Sequence, residues 1–390
     1  MTDTGIEAYT IRKNNKTLRL GYTTGTCAAA AAAAAVRALL FGKVPERVSI
    51  LTPKGIRLNL PIRDCGSDSG CPVCAVKKYS GDDPDVTDGV WVYARAEEVP
   101  GEGIEIDGGT GVGRVTRPGL EQPVGAAAIN RVPRRMIAEA VEAVREEAAS
   151  VCGLRIVISI PEGVVLAEKT FNSRLGITGG ISVLGTTGIV EPMSEEALIA
   201  TIRTELATKI AGGDRHLLIS PGNYGAAFIR EHLGLDLEDA VKCSNYVGAT
   251  IDIAVELGAE SILFVSHIGK FIKVSGGIMN THSREADCRM ELLAAHAALA
   301  GAGAEEIREI LACLTTDEAL AVLDRGGRIP AVMTTVLKKI EEACDKRSYG
   351  HLAVGALLFS NEWGELGRSE TAERLLREVW LPRREGGDGA

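Results

Sequence analysis

Within the sixteen residues from His267 to His282, the chain gathers groups that move protons and hold anions: His267, His282, Lys270, Lys273 and the pair Asn280-Thr281. A histidine near its ordinary pKa exchanges a proton close to neutral pH, and a lysine ammonium holds a carboxylate. The segment opens as His267-Ile268-Gly269-Lys270, directly after the apolar run Ser261 to Ser266. That run reads as a buried strand, so His267 projects from a strand end. A strand-end histidine bonded to backbone, flanked by exposed lysines, would explain one such residue. The density of polar groups favours a functional reading.

A second candidate is Pro221-Gly222-Asn223-Tyr224-Gly225, which follows the apolar run His216 to Ser220 and opens a helix. In open α/β sheets, ligands bind beyond the carboxyl ends of the strands. Glycines there let the backbone approach a ligand, and the helix start supplies N–H donors. An ordinary tight turn fits the pattern equally well. No GxGxxG occurs, since Gly109-Thr110-Gly111-Val112-Gly113 lacks the third glycine at the needed offset.

Thr23-Thr24-Gly25-Thr26 precedes an Ala-rich run and suits helix capping. Three threonines exceed what a cap requires, so carboxylate binding by Thr23, Thr24 and Thr26 stays open. Gly81-Asp82-Asp83-Pro84-Asp85 offers carboxylates to a cation or to polar substrate groups, without the spacing of a calcium loop. A solvated turn is the plainer reading. Cys65, Cys71 and Cys74 include one Cys-x-x-Cys but no second pair, so no protein-bound metal is expected. Arg131, Arg134 and Arg135 cluster at a helix start and could meet an acidic substrate or simply face solvent.

These groups need two frames to hold them. The first part reads as mixed α+β. It has hairpin-like runs at Arg47 to Leu51 and Gly55 to Ile62, strands at Gly89 to Glu97 and Gly113 to Thr116, and a helix from Pro133. A second hairpin is read across Leu154 to Ala167. Gly176 to Gly188 holds five glycines in thirteen residues and reads as a boundary or hinge. Beyond it, helices at Ser194 to Ile210, Val247 to Leu257 and Glu285 to Leu299 alternate with strands at His216 to Ser220 and Ser261 to Ser266, with a loop after the latter. Such alternation predicts a parallel sheet wrapped by helices.

The chain has 390 residues, enough for two cores. Aromatics make up 4% and the net charge is −9, which argues against nucleic acid or an anionic membrane as partner. Nine scattered cysteines with no leading apolar segment point to a reducing cytoplasm. The apolar run Cys27 to Val36 ends at Arg37, about half a membrane span, and predicts a close-packed helix.

Taken in order, several segments resemble the cobalt-precorrin-5B (C-1)-methyltransferases, the CbiD family, over roughly residues 18 to 345. They are Gly21-Tyr22-Thr23-Thr24-Gly25-Thr26-Cys27, Gly81 to Thr87, Gly111-Val112-Gly113-Arg114-Val115-Thr116 and Arg174 to Ser194. The later ones are Gly222-Asn223-Tyr224-Gly225, Lys242-Cys243-Ser244-Asn245 and His267-Ile268-Gly269-Lys270 with Gly277 to His282. Lys78-Tyr79-Ser80 and Asn172-Ser173-Arg174 depart from the family pattern.

The resemblance implies methyl transfer from S-adenosylmethionine to C-1 of cobalt-precorrin-5B, giving cobalt-precorrin-6A in anaerobic cobalamin biosynthesis. It implies an α+β N-terminal domain (residues 1–188) followed by a Rossmann-like α/β domain (189–345), with 346–390 as a C-terminal extension and mobile tail. Gly222, Asn223, Tyr224, Gly225, Ser244 and Asn245 are then expected at the methyl donor. Thr23, Thr24, Thr26, Asp82, Asp83, Lys270, Lys273, Asn280 and Thr281 are expected on the carboxylate-rich tetrapyrrole. His267, then His282, are expected as the base. Cobalt belongs to the substrate, and a homo-oligomer stays open. A nicotinamide-dependent oxidoreductase and a corrinoid carrier are the rival readings.

Overall fold

The computed structural model describes residues 4–13, 15–170, 172–222, 230 and 240–380. The chain divides into two compact units, Met1–Glu195 and Glu196–Ala390.

In the first unit, helix α1 (Thr24–Phe41) is capped by Thr23, whose hydroxyl accepts the Thr26 N–H. It ends at Gly42 with φ 67°, where a left-handed backbone favours glycine. Alanine is the best helix former, and Ala28 to Ala35 are all at most 4% exposed. The helix is long and apolar enough to cross a membrane by length and composition, yet it forms the core of this unit, as its small residues predict. It packs on α2 (Arg131–Glu147), which buries Met136, Ile137, Val141 and Val144.

The sheet beside these helices is formed by β1 (Arg63–Asp68), β2 (Cys71–Lys77), β3 (Trp91–Val99), β4 (Ile104–Gly108) and β5 (Gly153–Ser159). Its order is β1-β2-β3-β5-β4, antiparallel except for the β5–β4 pair. The hairpin expected across Leu154 to Ala167 does not form. β5 pairs with β3 and β4 instead, and Gly163–Leu166 is a short helix. The Gly176 to Gly188 stretch is no hinge but a tightly packed part of this unit. A Cβ at Gly180 would lie 2.3 Å from the Gly111 backbone, and one at Gly185 would lie 2.3 Å from the Thr23 hydroxyl.

The second unit is built on β6 (His216–Ser220), β7 (Val241–Lys242), β8 (Ser261–His267), β9 (Ala353–Ser360) and β10 (Gly364–Arg368). The order is β7-β6-β8-β9-β10, with the first four parallel and β10 antiparallel. Helices α3 (Glu195–Ala211), α4 (Val247–Glu256), α5 (Ile268–Ser275), α6 (Arg289–Leu299), α7 (Ala304–Ala312), α8 (Thr316–Arg325), α9 (Ile329–Ser348) and α10 (Glu370–Leu375) accompany it. β8 and β9 are almost wholly buried, as strands covered on both faces must be.

Three sequence expectations change here. The loop read after Ser266 is helix α5. The helix read from Glu285 begins at Arg289. Residues 346–380, read as an extension, supply strand β9 beside β8. The expected mobile tail, Arg384 to Ala390, lies outside the described residues.

Candidate active site

Four parallel strands end at one edge of this sheet, and their pairing sets the height of each residue along that edge. Ser220 pairs with Lys242, Ile219 with Phe264 and His267 with Phe359. Carried past the strand ends, this register brings Ser244, Gly222, His267 and Phe359 to a common level. Asn223, Tyr224 and Gly225, expected beside them, lie outside the described residues. The Cys243 N–H still donates to the Ser220 carbonyl at 3.1 Å, and the Ser220 hydroxyl donates to the Gly222 carbonyl at 2.9 Å.

Ser244 adopts φ 52°, a left-handed turn that redirects the chain at the end of β7. Among the described residues, neither its hydroxyl nor the Asn245 amide nitrogen donates a hydrogen bond. Asn245 instead receives the loop from α5. Its carbonyl accepts the Thr281 N–H at 2.9 Å, and its Oδ1 accepts the Thr281 hydroxyl at 3.4 Å. Tyr246 and Asn280 form a bridge, and Gly248 donates to the Met279 carbonyl at 3.0 Å. The structure therefore brings Ser244, Asn245, Asn280 and Thr281 together, with Lys273 beneath them.

His267 caps α5. Its Nδ1 accepts the Gly269 N–H at 3.0 Å, and its ring meets Phe359 edge-on at 5.6 Å between centroids. Burial pushes its pKa below the ordinary histidine value, while Asp317 acts in the opposite direction. The exposed His282 repeats the geometry, its Nδ1 accepting the Arg284 N–H at 3.0 Å. With Nδ1 occupied as an acceptor, each neutral ring carries its proton on Nε2. The base role expected for both needs a free lone pair on Nε2, hence a proton on Nδ1. That proton would oppose the backbone N–H and break the cap. Both rings are thus set up as Nε2–H donors.

The two lysines separate sharply. Lys270 is half-buried, and burial lowers its pKa. Its ammonium donates to none of the described residues. Lys273 is 1% exposed and donates to the Thr281 carbonyl at 3.2 Å and the Ser283 hydroxyl at 3.3 Å, with Asp287 at 3.8 Å. It fastens the loop and is not available to substrate.

Thr23, Thr24 and Thr26 are also committed elsewhere, at 8%, 4% and 0% exposure. Thr26 donates to the Gly188 carbonyl at 2.7 Å. Thr24 donates to the Leu184 carbonyl at 3.2 Å and accepts its N–H at 3.1 Å. The surplus of hydroxyls seen in the sequence pins the 184–188 loop rather than a carboxylate.

Asp82 and Asp83 are likewise structural. Asp82 accepts from Arg19 N and Nε at 2.7 and 2.9 Å, and Asp83 accepts the Met193 N–H at 3.2 Å. Asp85 pairs with the buried Lys78 at 2.6 Å. Arg134 donates to the carbonyls of Ile106, Ala127 and Ile129, so it too is spent on backbone. Among the described residues no group of three His, Cys, Asp or Glu could hold a metal.

Asp317 and Ser360 escaped the sequence reading. Their hydroxyl–carboxylate bond of 2.5 Å joins positions 43 residues apart, and no local spacing signals it. Reading the apolar run Ala353 to Phe359 as a strand parallel to Ser261–His267 would have placed Ser360 at this edge.

Comparison with known proteins gives this edge its context. The family model CbiD matches residues 11–192, and the model for the CbiD C-terminal domain matches residues 280–370. A protein of Ruminiclostridium cellulolyticum, named cobalt-precorrin-5B C(1)-methyltransferase, is 50% identical over 351 residues, 90% of this chain and 91% of its own length. The chain belongs to the CbiD family.

A second CbiD relative, from Alkaliphilus metalliredigens and of the same name, is 44% identical across 95% of this chain and 97% of its own. A crystal structure titled cobalamin biosynthesis protein (cbiD), from Archaeoglobus fulgidus, is 28% identical, covers 72% of this chain and 87% of its own, and superposes with a TM-score of 0.40. Within the family frame, Gly222, Ser244, His267 and Lys270 fall between the two model matches, while Asn280, Thr281, Asp317 and Ser360 fall inside the C-terminal one.

Proposed function

We propose that this CbiD protein methylates C-1 of cobalt-precorrin-5B with S-adenosylmethionine, in the crevice beyond the carboxyl ends of β6, β7 and β8. The reaction class follows the name shared by relatives up to 50% identical. The location follows from one observation: the strand register carries Ser244, Gly222 and His267 to a common level at that edge. In chain order the strands β7-β6-β8-β9 run second, first, third, fourth, an order that supports reading the sheet as doubly wound, of the flavodoxin-like kind rather than the Rossmann order expected. In such a sheet the ligand crevice opens where the order reverses, here between β6 and β8.

The residues at this edge fit a polar, partly zwitterionic donor. Among the described residues, the Ser244 hydroxyl and the Asn245 amide nitrogen keep their donors for a ligand, and Gly222 lets it approach the backbone. Asn223, Tyr224 and Gly225, outside the described residues, stay assigned to the donor by the sequence alone. Bound there, S-adenosylmethionine supplies an electrophilic methyl group. On the other side, the Lys270 ammonium takes a carboxylate arm of the tetrapyrrole, recovering solvation lost on burial. His267 donates its Nε2–H to a second arm, and Asn280 and His282 stand on the adjoining loop. Much of the acceleration comes from alignment of the two partners and exclusion of water. The cobalt is the substrate's own.

The test is direct. Calorimetry with S-adenosylhomocysteine on wild type and Gly222→Val should show binding lost in the variant. Unchanged binding would move the donor away from this edge. The same reading keeps the protein in the cytoplasm, where its small-molecule substrates are.

A further inference from the structure

We propose that Asp317 is a positioning residue for His267, a carboxylate fixed by Ser360 that equips the imidazole to receive an anionic arm of the substrate. The role of the arm rests on the reading of the site above; the coupling between Asp317 and His267 does not.

Phe359 links the ring to the residues that hold Asp317. Phe359 pairs with His267 across the sheet and touches its ring. The next residue, Ser360, is 1% exposed and donates its hydroxyl to Asp317 Oδ1 at 2.5 Å. That hydroxyl also accepts the N–H groups of Glu362 and Trp363 at 3.1 and 3.3 Å, so its direction is set. Asp317 is therefore held from the strand end that packs on His267.

The first turn of α8 also comes close to the start of α5. A Cβ on Gly269 would lie 3.2 Å from His267 Nδ1 and 3.4 Å from the Thr316 hydroxyl. Any side chain at 269 would crowd both. Asp317 follows Thr316 directly, which puts a carboxylate at the junction.

Among the described residues, β9 sets Phe359 against the ring, and neither it nor the Ser360 that follows is charged. From α8 comes Asp317. On its own helix stands Lys270. Burial disfavours the imidazolium and Asp317 favours it. Without that carboxylate, burial against Phe359 would disfavour the imidazolium unopposed and weaken the ring's hold on an anion. With it, the ring can take a proton when an anionic arm arrives. The cap bond from Gly269 is then exchanged for a charged contact.

The experiment is a titration of the six histidines by proton NMR, with the His267 signal assigned by its loss in His267→Gln. In Asp317→Asn the His267 midpoint should fall by about one pH unit, the lower end of what a nearby opposite charge does, and Asp317→Glu should restore most of it. An unmoved or raised midpoint overturns the proposal. Ser360→Ala, which deletes only the anchoring bond, should shift the midpoint the same way by less, and serves if Asp317→Asn does not fold. An unmoved midpoint there overturns it as well. The KM for the corrinoid substrate, read in the same variants, should rise several-fold with kcat within about twofold. A shifted midpoint with KM unchanged in both Asp317→Asn and His267→Asn would uphold the coupling and overturn its role toward substrate.

Discussion

The Gly269 backbone N–H donates to Nδ1 of His267 at 3.0 Å, and this one bond fixes which nitrogen of the ring faces outward with a proton. Two roles meet in the side chain, helix capping through Nδ1 and donation through Nε2, and two substitutions separate them. Asparagine is a strong N-cap, so His267→Asn should keep the melting temperature and lose corrinoid binding. Glutamine places an N–H near the Nε2 position but caps poorly. His267→Gln should cost about 1 kcal/mol of stability and retain more activity than His267→Asn. Thermal melts and KM on the pair check this. Full activity in His267→Asn would contradict it.

Lys270 and Lys273 stand one turn apart with opposite duties. Lys273→Met removes the ammonium that ties the Thr281 carbonyl and Ser283. It should lower stability by about 2–4 kcal/mol and speed amide exchange across residues 279–287. Lys270→Met should leave stability unchanged or raise it slightly, because a desolvated charge is removed, and should raise the corrinoid KM tenfold or more. Chemical denaturation and steady-state kinetics on both variants separate anchor from fastener.

Thr26 carries the analogous distinction in the first unit. Thr26→Val keeps the shape but removes the hydroxyl that donates to the Gly188 carbonyl at 2.7 Å, leaving that carbonyl only the Thr23 N–H at 3.1 Å. The expected loss is about 0.5–1.5 kcal/mol with KM for both substrates unchanged. A raised corrinoid KM at wild-type stability would restore the carboxylate-binding role that the sequence suggested.

Acid should weaken the fold before the carboxylates titrate. Burial depresses the pKa of both His267 and His296. His296 has each ring nitrogen against a hydroxyl, Thr335 at 2.9 Å and Ser275 at 3.2 Å. The unfolded chain binds protons at these histidines near about pH 6.5, where the folded chain still resists them. Stability is therefore fully present above about pH 6.5 and is lost as pH falls through that value toward the folded pKa of each. Melting temperatures taken from about pH 7.5 to about pH 5.5 should decline, and His296→Gln should flatten the decline. The half-buried carboxylate Asp85 is held low, against the effect of burial, by Lys78 and Thr87, so its loss belongs to a more acid range.

What the sequence made legible was the rhythm of apolar residues and the chemistry of clustered polar ones. Strand His216–Ser220 and the strand ending at His267 were readable because buried parallel strands are short, continuous apolar runs. Helix α5 was hidden because Gly269 and Gly276 bracket its pattern, although Phe271, Ile272 and Val274 carry the buried face. The Thr23 to Thr26 hydroxyls were visible, but their partners at Leu184 and Gly188 lie about 160 residues on, and no local pattern reports such a distance. The same holds for Lys273, whose spacing from Lys270 suggests a shared role until burial separates them. The glycines at 180 and 185 read as flexibility because a sequence shows the missing side chain and not the backbone or hydroxyl that fills its place.

The central claim is that this chain moves a methyl group from S-adenosylmethionine to C-1 of cobalt-precorrin-5B. The purified protein, given cobalt-precorrin-5B and donor labelled in the methyl group, should in a single turnover yield a corrinoid with one label, located at C-1 by NMR. It should form S-adenosylhomocysteine in equal amount. An unlabelled corrinoid that binds tightly and is recovered unchanged would contradict the account and leave a corrinoid carrier in its place.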